Sequence, residues 1–387
     1  MSGATVVHAA GRGKAALWDA VAGGASGLQP NRLSWCALDC WVGAVPGVDT
    51  VVLPPALTRW DCRLNRMAWL AMQDPGFCEA VDGAIARHGA HRVGVVLGTS
   101  TSGIRSTEVA YARRRESGGW PPWFEYRNTH SADALCRFVA ESLGLRGPLT
   151  AVTTACSSSA KVFLTAQRWI ESGLIDAAVV GGADSLCLST LHGFDSLQLL
   201  SDDVCRPFDA ARKGISIGEA AGFLLLDSTP TPIRFLGGGE SSDAWHMSTP
   251  HPDGLGAQDA MLAALSAAGL ELSDIGYVNA HGTGTRANDL AEAAALTAVF
   301  GAHGVAVSST KGVTGHALGA AGIVEAIVTL CALERQMLPV SANVVSEDPQ
   351  LELDLVTRPR AATLEFALSN NFGFGGSNCS LVFGRVD

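Results

Sequence analysis

Charge is scarce in this chain. Of 387 residues only 17% are Asp, Glu, Lys or Arg, and aromatic residues make up 6%. Basic residues are the scarcer sign, with 27 Lys and Arg against 37 Asp and Glu and a formal net charge of −10. A nucleic-acid role therefore gets no support from bulk electrostatics, and an acidic partner could be held only by a local basic patch. Long apolar runs are missing too. Asp, Arg, Glu or Gly interrupts each candidate, so no membrane span is expected. The first residues, Met1-Ser2-Gly3-Ala4-Thr5-Val6-Val7-His8, lack the basic stretch and apolar core of a secretory signal. Ten cysteines occur without metal-type spacing; Cys36 and Cys40 form a wide pair with no second pair to complete a site. These absences lead to the expectation of a soluble cytoplasmic protein with reduced thiols and no metal site.

Small and apolar residues fill the space left. Hydrophobic residues reach 47%, and glycine occupies 44 positions. That suffices for a large core, in two domains or one large duplicated one.

Hydrophobic periodicity places the elements. It predicts helices at Ala15 to Ala22, Trp60 to Gln73, Glu79 to His88, Thr107 to Arg115, Ala132 to Leu143, Ala160 to Ser172, Gln258 to Ala268 and Ala317 to Glu334. Pro75 is expected to stop the second of these. Strands are expected at Arg92 to Leu97, Gly147 to Thr154, Asp176 to Gly182, Gly218 to Leu226, Ile275 to Ala280, Val305 to Thr310 and Cys379 to Phe383. Strand, turn and helix in repetition spell an α/β protein with a mostly parallel sheet. The segment Gly118 to Tyr126, with Trp120-Pro121-Pro122-Trp123, cannot be regular helix and is expected as a lid or subunit contact.

A weak duplication is visible. Strand–turn–helix around Cys156 echoes strand–turn–helix around His316, and the hairpin at Gly218 to Leu226 echoes Gly373 to Phe383. The halves would be residues 1–227 and 228–387, joined near Ser228-Thr229-Pro230-Thr231-Pro232.

Three turns that follow strands carry reactive groups. Cys156 sits in Thr154-Ala155-Cys156-Ser157-Ser158, where a helix begins. Unpaired N–H groups and the helix dipole favour an anion there, which biases a cysteine toward thiolate. His281 lies in His281-Gly282-Thr283-Gly284-Thr285, and His316 ends Lys311-Gly312-Val313-Thr314-Gly315-His316. Strand ends in α/β sheets gather ligands, so the three could converge. A thiol assisted by histidine suits thioester chemistry. Glu325 falls in an apolar helical run, and a buried carboxylate needs a partner, for which Lys311 is the obvious choice. His8, His88, His91, His130, His192, His246, His251 and His303 read as surface or structural.

Together these motifs resemble the elongating β-ketoacyl-[acyl-carrier-protein] synthases of the thiolase-like superfamily. The carriers are the Cys156 turn, the His281 turn with Asn288-Asp289, the run Lys311 to Gly322, and Asn371-Phe372-Gly373-Phe374-Gly375-Gly376-Ser377-Asn378. The resemblance implies two similar α/β halves in a five-layer αβαβα arrangement. It implies a decarboxylative Claisen condensation of an acyl chain on Cys156 with malonyl-carrier. His281 and His316 would bind the thioester oxygen, Lys311 would orient His316 and pair with Glu325, and the N–H groups of Cys156 and Phe374 would form the oxyanion hole. Phe372 and Phe374 would gate the site, Thr283 and Thr285 would hold the pantetheine arm, and Thr101 and Phe194 would shape the acyl pocket. Arg63 and Arg66 would dock the acidic acyl carrier protein, against the plain reading of a solvated helix edge. No cofactor of the chain's own is implied, because the phosphopantetheine belongs to the carrier. The partner would be a second copy or a ketosynthase-like paralogue.

Some positions depart from the family pattern. Val6-Val7-His8-Ala9-Ala10-Gly11 stands where the family has a full strand before a glycine-rich turn, and Arg212-Lys213-Gly214 and Gly218-Glu219-Ala220-Ala221 replace its Arg-Asp-Gly and Gly-Glu-Gly-Ala. These departures count against housekeeping fatty-acid elongation. Cys156-Ser157-Ser158-Ser159-Ala160-Lys161, Asp184-Ser185-Leu186-Cys187 and the Trp-Pro-Pro segment resemble instead bacterial specialised-pathway synthases, such as those of aryl polyene assembly. A non-catalytic chain-length-factor subunit would lack the cysteine, an initiating synthase would have Asn at position 316, and a thiolase would carry a second Cys-x-Gly near Cys379.

Overall fold

Runs such as Val93-Gly94-Val95-Val96-Leu97 offer no polar position, as a strand requires when both its faces are covered. In the computed structural model, which describes residues 1–386, two mixed sheets are built from such strands. The first holds β1 (Ser2–His8), β2 (Val93–Gly98), β3 (Leu149–Val152), β4 (Ala177–Asp184) and β5 (Ala220–Asp227), in the order β3-β2-β4-β5-β1. The second holds β6 (Ile233–Ser242), β7 (Ile275–Asn279), β8 (Ala306–Ser308), β9 (Phe366–Gly373) and β10 (Ser377–Arg385), in the order β8-β7-β9-β10-β6. Two-residue strands at Gly11–Arg12 and Asp354–Leu355 extend one edge of each.

Strand for strand, the two orders are the same. β2 runs parallel to β3 and β4, and β7 runs parallel to β8 and β9. β5 is antiparallel to both neighbours, as is β10. The expected duplication is therefore present, but each sheet is mixed rather than mostly parallel. The returning hairpin strand in each half supplies the antiparallel share.

Alternate residues of each strand face different layers. Val93, Val95 and Leu97 pack with α2 (Arg63–Met72), α3 (Pro75–His88) and α5 (Ala134–Ser142) on the outer face; α4 (Ile104–Ser117) lies beyond the end of β2. Val96, Ala178 and Val180 face inward, toward α1 (Gly13–Gly23), α6 (Ser158–Glu171) and α10 (Ala321–Arg335). The second sheet presents Ile275, Val278 and Leu368 outward, to α8 (Leu255–Ala268) and α9 (Arg286–Phe300); α7 (Leu188–Ser196) follows β4. The layers are thus helix, sheet, helix, sheet, helix, the five-layer thiolase-like arrangement. Every residue of α10 from Ala321 to Leu333 is buried, Glu325 and Thr329 included, as befits a helix covered by sheets on both sides. It crosses α6 where a Cβ on Gly322 would lie 2.4 Å from the Ala160 nitrogen, so glycine is required for backbone contact.

Two expectations are corrected. β1 is a full seven-residue strand; Gly3, at φ +60°, shifts the register between Ser2 and Thr5 and hides the pattern. Pro75 does not merely stop α2: it opens α3 at the first helical position, where its missing N–H costs nothing, and Asp74 caps the Phe77 N–H at 3.1 Å. Among the described residues no helix is long and apolar enough to cross a membrane.

Candidate active site

A short 3-10 turn, Ala155–Ser157, follows β3 and delivers Cys156 to the start of α6. Ala155 adopts φ +51°, a left-handed conformation that costs a non-glycine residue about 1–2 kcal/mol. Its counterpart after β8 is the turn Leu318–Ala320 before α10, where Leu318 sits at φ +50°. The two strained turns pack against each other. His316 enters on the approach to the second turn and His281 on the loop after β7.

The three reactive side chains converge. Cys156 Sγ lies 3.0 Å from His316 Nε2, and the rings of His281 and His316 are 5.2 Å apart and nearly perpendicular. One ligand atom from each of the three falls within 4.8 Å of the others, and all three residues are buried.

Lys311 does not reach His316, against expectation. Its Nζ donates to the His281 carbonyl at 2.5 Å, stands 3.3 Å from His281 Nδ1 and pairs with Glu325, which also accepts from Asn371. An ammonium only donates, so Nδ1 is the acceptor and the proton of the neutral ring resides on Nε2. That tautomer turns an N–H toward the cavity and leaves no lone pair there for a metal. The arrangement suits binding an oxygen rather than a cation.

Burial, and then the charge of Lys311, hold both imidazoles well below their ordinary pKa. Burial likewise pushes the Cys156 thiol up to about 12, outweighing Lys311 and the Phe374 N–H that point the other way. The thiolate bias expected from the helix terminus is overridden, because at most about 2 kcal/mol from a dipole is less than the cost of desolvating a thiolate here.

Beside the sulfur is a cavity of about 90 Å³, lined by Phe194, Leu199, Ile215, Thr283, Thr285 and Phe372 among others. Phe194 and Phe374 meet at 5.4 Å across it. Gly375 and Gly376, both at positive φ, follow Phe374, and Gly376 accepts from the Asp243 N–H at 2.9 Å. The Thr283 and Thr285 hydroxyls are 2.9 Å apart. Thr101 is not among the lining residues: its N–H and hydroxyl are both turned onto Asp184, at 2.9 and 2.8 Å.

Residues 59–231 match the family profile of the β-ketoacyl synthase N-terminal domain, and residues 234–345 match that of the C-terminal domain. The chain belongs to the β-ketoacyl synthase family. It is 38% identical over 307 residues to nodulation protein E of Rhizobium meliloti, covering 76% of each. It is 36% identical over 342 residues to 3-oxoacyl-[acyl-carrier-protein] synthase 2 of Vibrio cholerae serotype O1, covering 82% of this chain and 80% of that one. The solved ketosynthase ApeO, in complex with its chain length factor ApeC from Xenorhabdus doucetiae, superposes with a TM-score of 0.92 at 38% identity, covering 100% of this chain and 97% of that one. The enzyme class, an acyltransferase, follows from the family.

Other residues of this β-ketoacyl synthase fall outside the sequence reading. His246, read as surface or structural, is exposed as expected, and it also lines the cavity with Asp243, Ser248 and Thr249. The Glu292 carboxylate accepts the N–H groups of His281 and Gly282 at 2.7 Å each and holds the histidine loop from beneath. Burial raises its pKa to about 7. Glu292 lies one helical turn beyond Asn288, a spacing that could have flagged it. Arg63 is not free to dock a partner. Its guanidinium grips the buried Glu219 at 2.7 and 2.5 Å and Asp49 at 2.6 Å, leaving 10% of the side chain exposed. Arg66 is forked onto Asp61 at 2.6 and 2.7 Å, with more of it exposed. The Trp-Pro-Pro segment is irregular, as expected. It exposes Trp120 and Trp123 and does not border the cavity.

Proposed function

We propose that the chain is the catalytic ketosynthase of a specialised fatty-acid or polyketide pathway of the aryl polyene kind, working in the cytoplasm. The observation that carries this reading is the 3.0 Å approach of Cys156 Sγ to His316 Nε2, with His281 beside them and its N–H turned to the cavity. In the proposed cycle the Cys156 thiol attacks an acyl-carrier thioester. Its proton leaves on the pantetheine sulfur, and the acyl chain stays on Cys156. Malonyl-carrier then enters along Thr283 and Thr285. His281 and His316 donate to its thioester oxygen as carbon dioxide leaves. The carbanion attacks the acyl-Cys156 carbonyl, whose oxygen accepts from the Cys156 and Phe374 N–H groups. Collapse expels the Cys156 sulfur as a thiolate, which takes up a proton from water to restore the thiol, and releases 3-oxoacyl-carrier. A preorganised donor of that kind lowers such a barrier by about 3 kcal/mol.

Phe372 and Phe374 open for the chain, and Phe194 shapes its channel. Thr101 supports that channel from behind. The cycle draws on no cofactor beyond the carrier's arm. The carrier docks where Arg66 contributes, with Arg63 serving the fold. The exposed Trp120 and Trp123 suit burial against a second ketosynthase-like subunit. The likeness to ApeO, solved with its chain length factor, supports a paralogue in that place over a second copy.

Intact-mass measurement after incubation with a panel of acyl-carriers tests the reading. A single acyl adduct that disappears in Cys156→Ala is expected. Failure of every acyl-carrier to load, with the partner subunit present, would sink it.

A further inference from the structure

We propose that Asp184 is a positioning residue that locks the turn after β2 to the turn after His316, and so fixes the spacing of nucleophile and histidine across the two halves. Asp184 ends β4 and is fully buried. One carboxylate oxygen accepts from the Thr99 hydroxyl at 2.7 Å, the Thr101 N–H at 2.9 Å and the Thr101 hydroxyl at 2.8 Å. The other accepts from the Ser100 hydroxyl at 2.5 Å and the Gly319 N–H at 2.6 Å, while the Ser100 N–H bridges both oxygens. None of these donors is a cation. A buried anion held by hydrogen bonds alone is stable only while nearly every donor stays in place, so the cluster is stiff.

The last donor gives the cluster its role. Gly319 lies in the Leu318–Ala320 turn, which packs on the Ala155–Ser157 turn and lies three residues beyond His316. In the duplicated fold Gly319 occupies the place that Cys156 takes in the first half. A Cβ there would lie 2.6 Å from the Asp184 carboxylate. The carboxylate fills the space that a side chain would need, and ties the second turn to the first sheet. Its charge also reaches the sulfur. The charged or titratable groups around Cys156 are His316, His281, Lys311, Glu325 and Asp184, and Asp184 and Glu325 are the two that oppose a thiolate.

The condensing role proposed above enters one arm of the test only. In Asp184→Asn the amide cannot accept from all these donors, so kcat for condensation should fall at least tenfold while KM for the carrier stays within about twofold. The rate of Cys156 alkylation by iodoacetamide needs no substrate. Its pH profile should move to lower pH, because a negative neighbour of the sulfur is gone. An unchanged kcat together with an unchanged alkylation profile would overturn the proposal, and so would a loss confined to KM. A missing condensation activity in the parent protein would instead count against the condensing role and leave the alkylation arm to decide. Should Asp184→Asn not fold, Thr101→Val removes one donor and keeps the charge. It should lower kcat several-fold with KM unchanged, and a kcat equal to the parent's would equally overturn the proposal.

Discussion

Lys311 holds His281 at both ends: its ammonium bonds the histidine's own carbonyl at 2.5 Å and stands 3.3 Å from ring Nδ1. The contact fixes the tautomer that aims Nε2–H at the cavity. Lys311→Met should therefore free the ring to flip and leave Glu325 buried without its cation. Breaking a buried pair in this way costs about 3–5 kcal/mol. A large drop in thermal midpoint, with decarboxylation of malonyl-carrier falling at least tenfold in whatever remains folded, is the expected outcome. Normal decarboxylation in this variant would show that the tautomer does not matter.

A second expectation concerns pH. Both imidazoles are held below the ordinary value of about 6.5 by burial and by Lys311. A protonated His281 would set an N–H against the ammonium and lose its acceptor. The neutral forms are present above the folded pKa values and lost as pH falls through them. The acid limb of malonyl-carrier decarboxylation should thus lie clearly below pH 6.5. A limb centred on an ordinary imidazole value would contradict the burial argument.

Packing of the central layer gives a third. Gly322 lets α10 touch the backbone of α6 at Ala160. Gly322→Val adds a branched side chain where even a methyl has no space. Overpacking usually costs about 1–3 kcal/mol, and a clash with backbone belongs at the upper end. Denaturant unfolding should show a lower midpoint with little change in slope; a neutral result would mean that the helices can part freely.

Arg63 offers a fourth. If its guanidinium serves Glu219 rather than the carrier, Arg63→Ala should lower stability and leave KM for acyl-carrier near the parent value. Arg66→Ala should do the opposite. Steady-state kinetics with thermal melts on the two variants separates them, and a raised KM in Arg63→Ala would restore it to the docking surface.

Sequence patterns made the strands and the reactive turns legible because both are local. A strand buried on two faces shows as an apolar run, and a turn at its end shows as a cluster of small residues around Cys156, His281 or His316. The exceptions have local causes as well. α9 went unread because Arg286 to Phe300 is rich in alanine, which weakens its stripe, and β6 because Gly237-Gly238-Gly239 breaks its alternation. Long-range partners were less legible. Glu219 lies 156 positions from Arg63, and Lys311 lies 30 positions from His281, farther than the five that separate it from His316. The family resemblance assigned Lys311 to His316, whereas the contact is made to His281.

The matched strand orders of the two sheets carry a consequence for how this molecule can change. Sulfur and imidazole sit on opposite sides of a seam between repeats, so neither repeat owns a workable reaction centre. A substitution that slides one repeat past the other by an ångström could leave both cores intact and the melting curve untouched, yet separate Cys156 from His316. Loss of turnover without loss of cohesion is the failure to look for along α6 and α10.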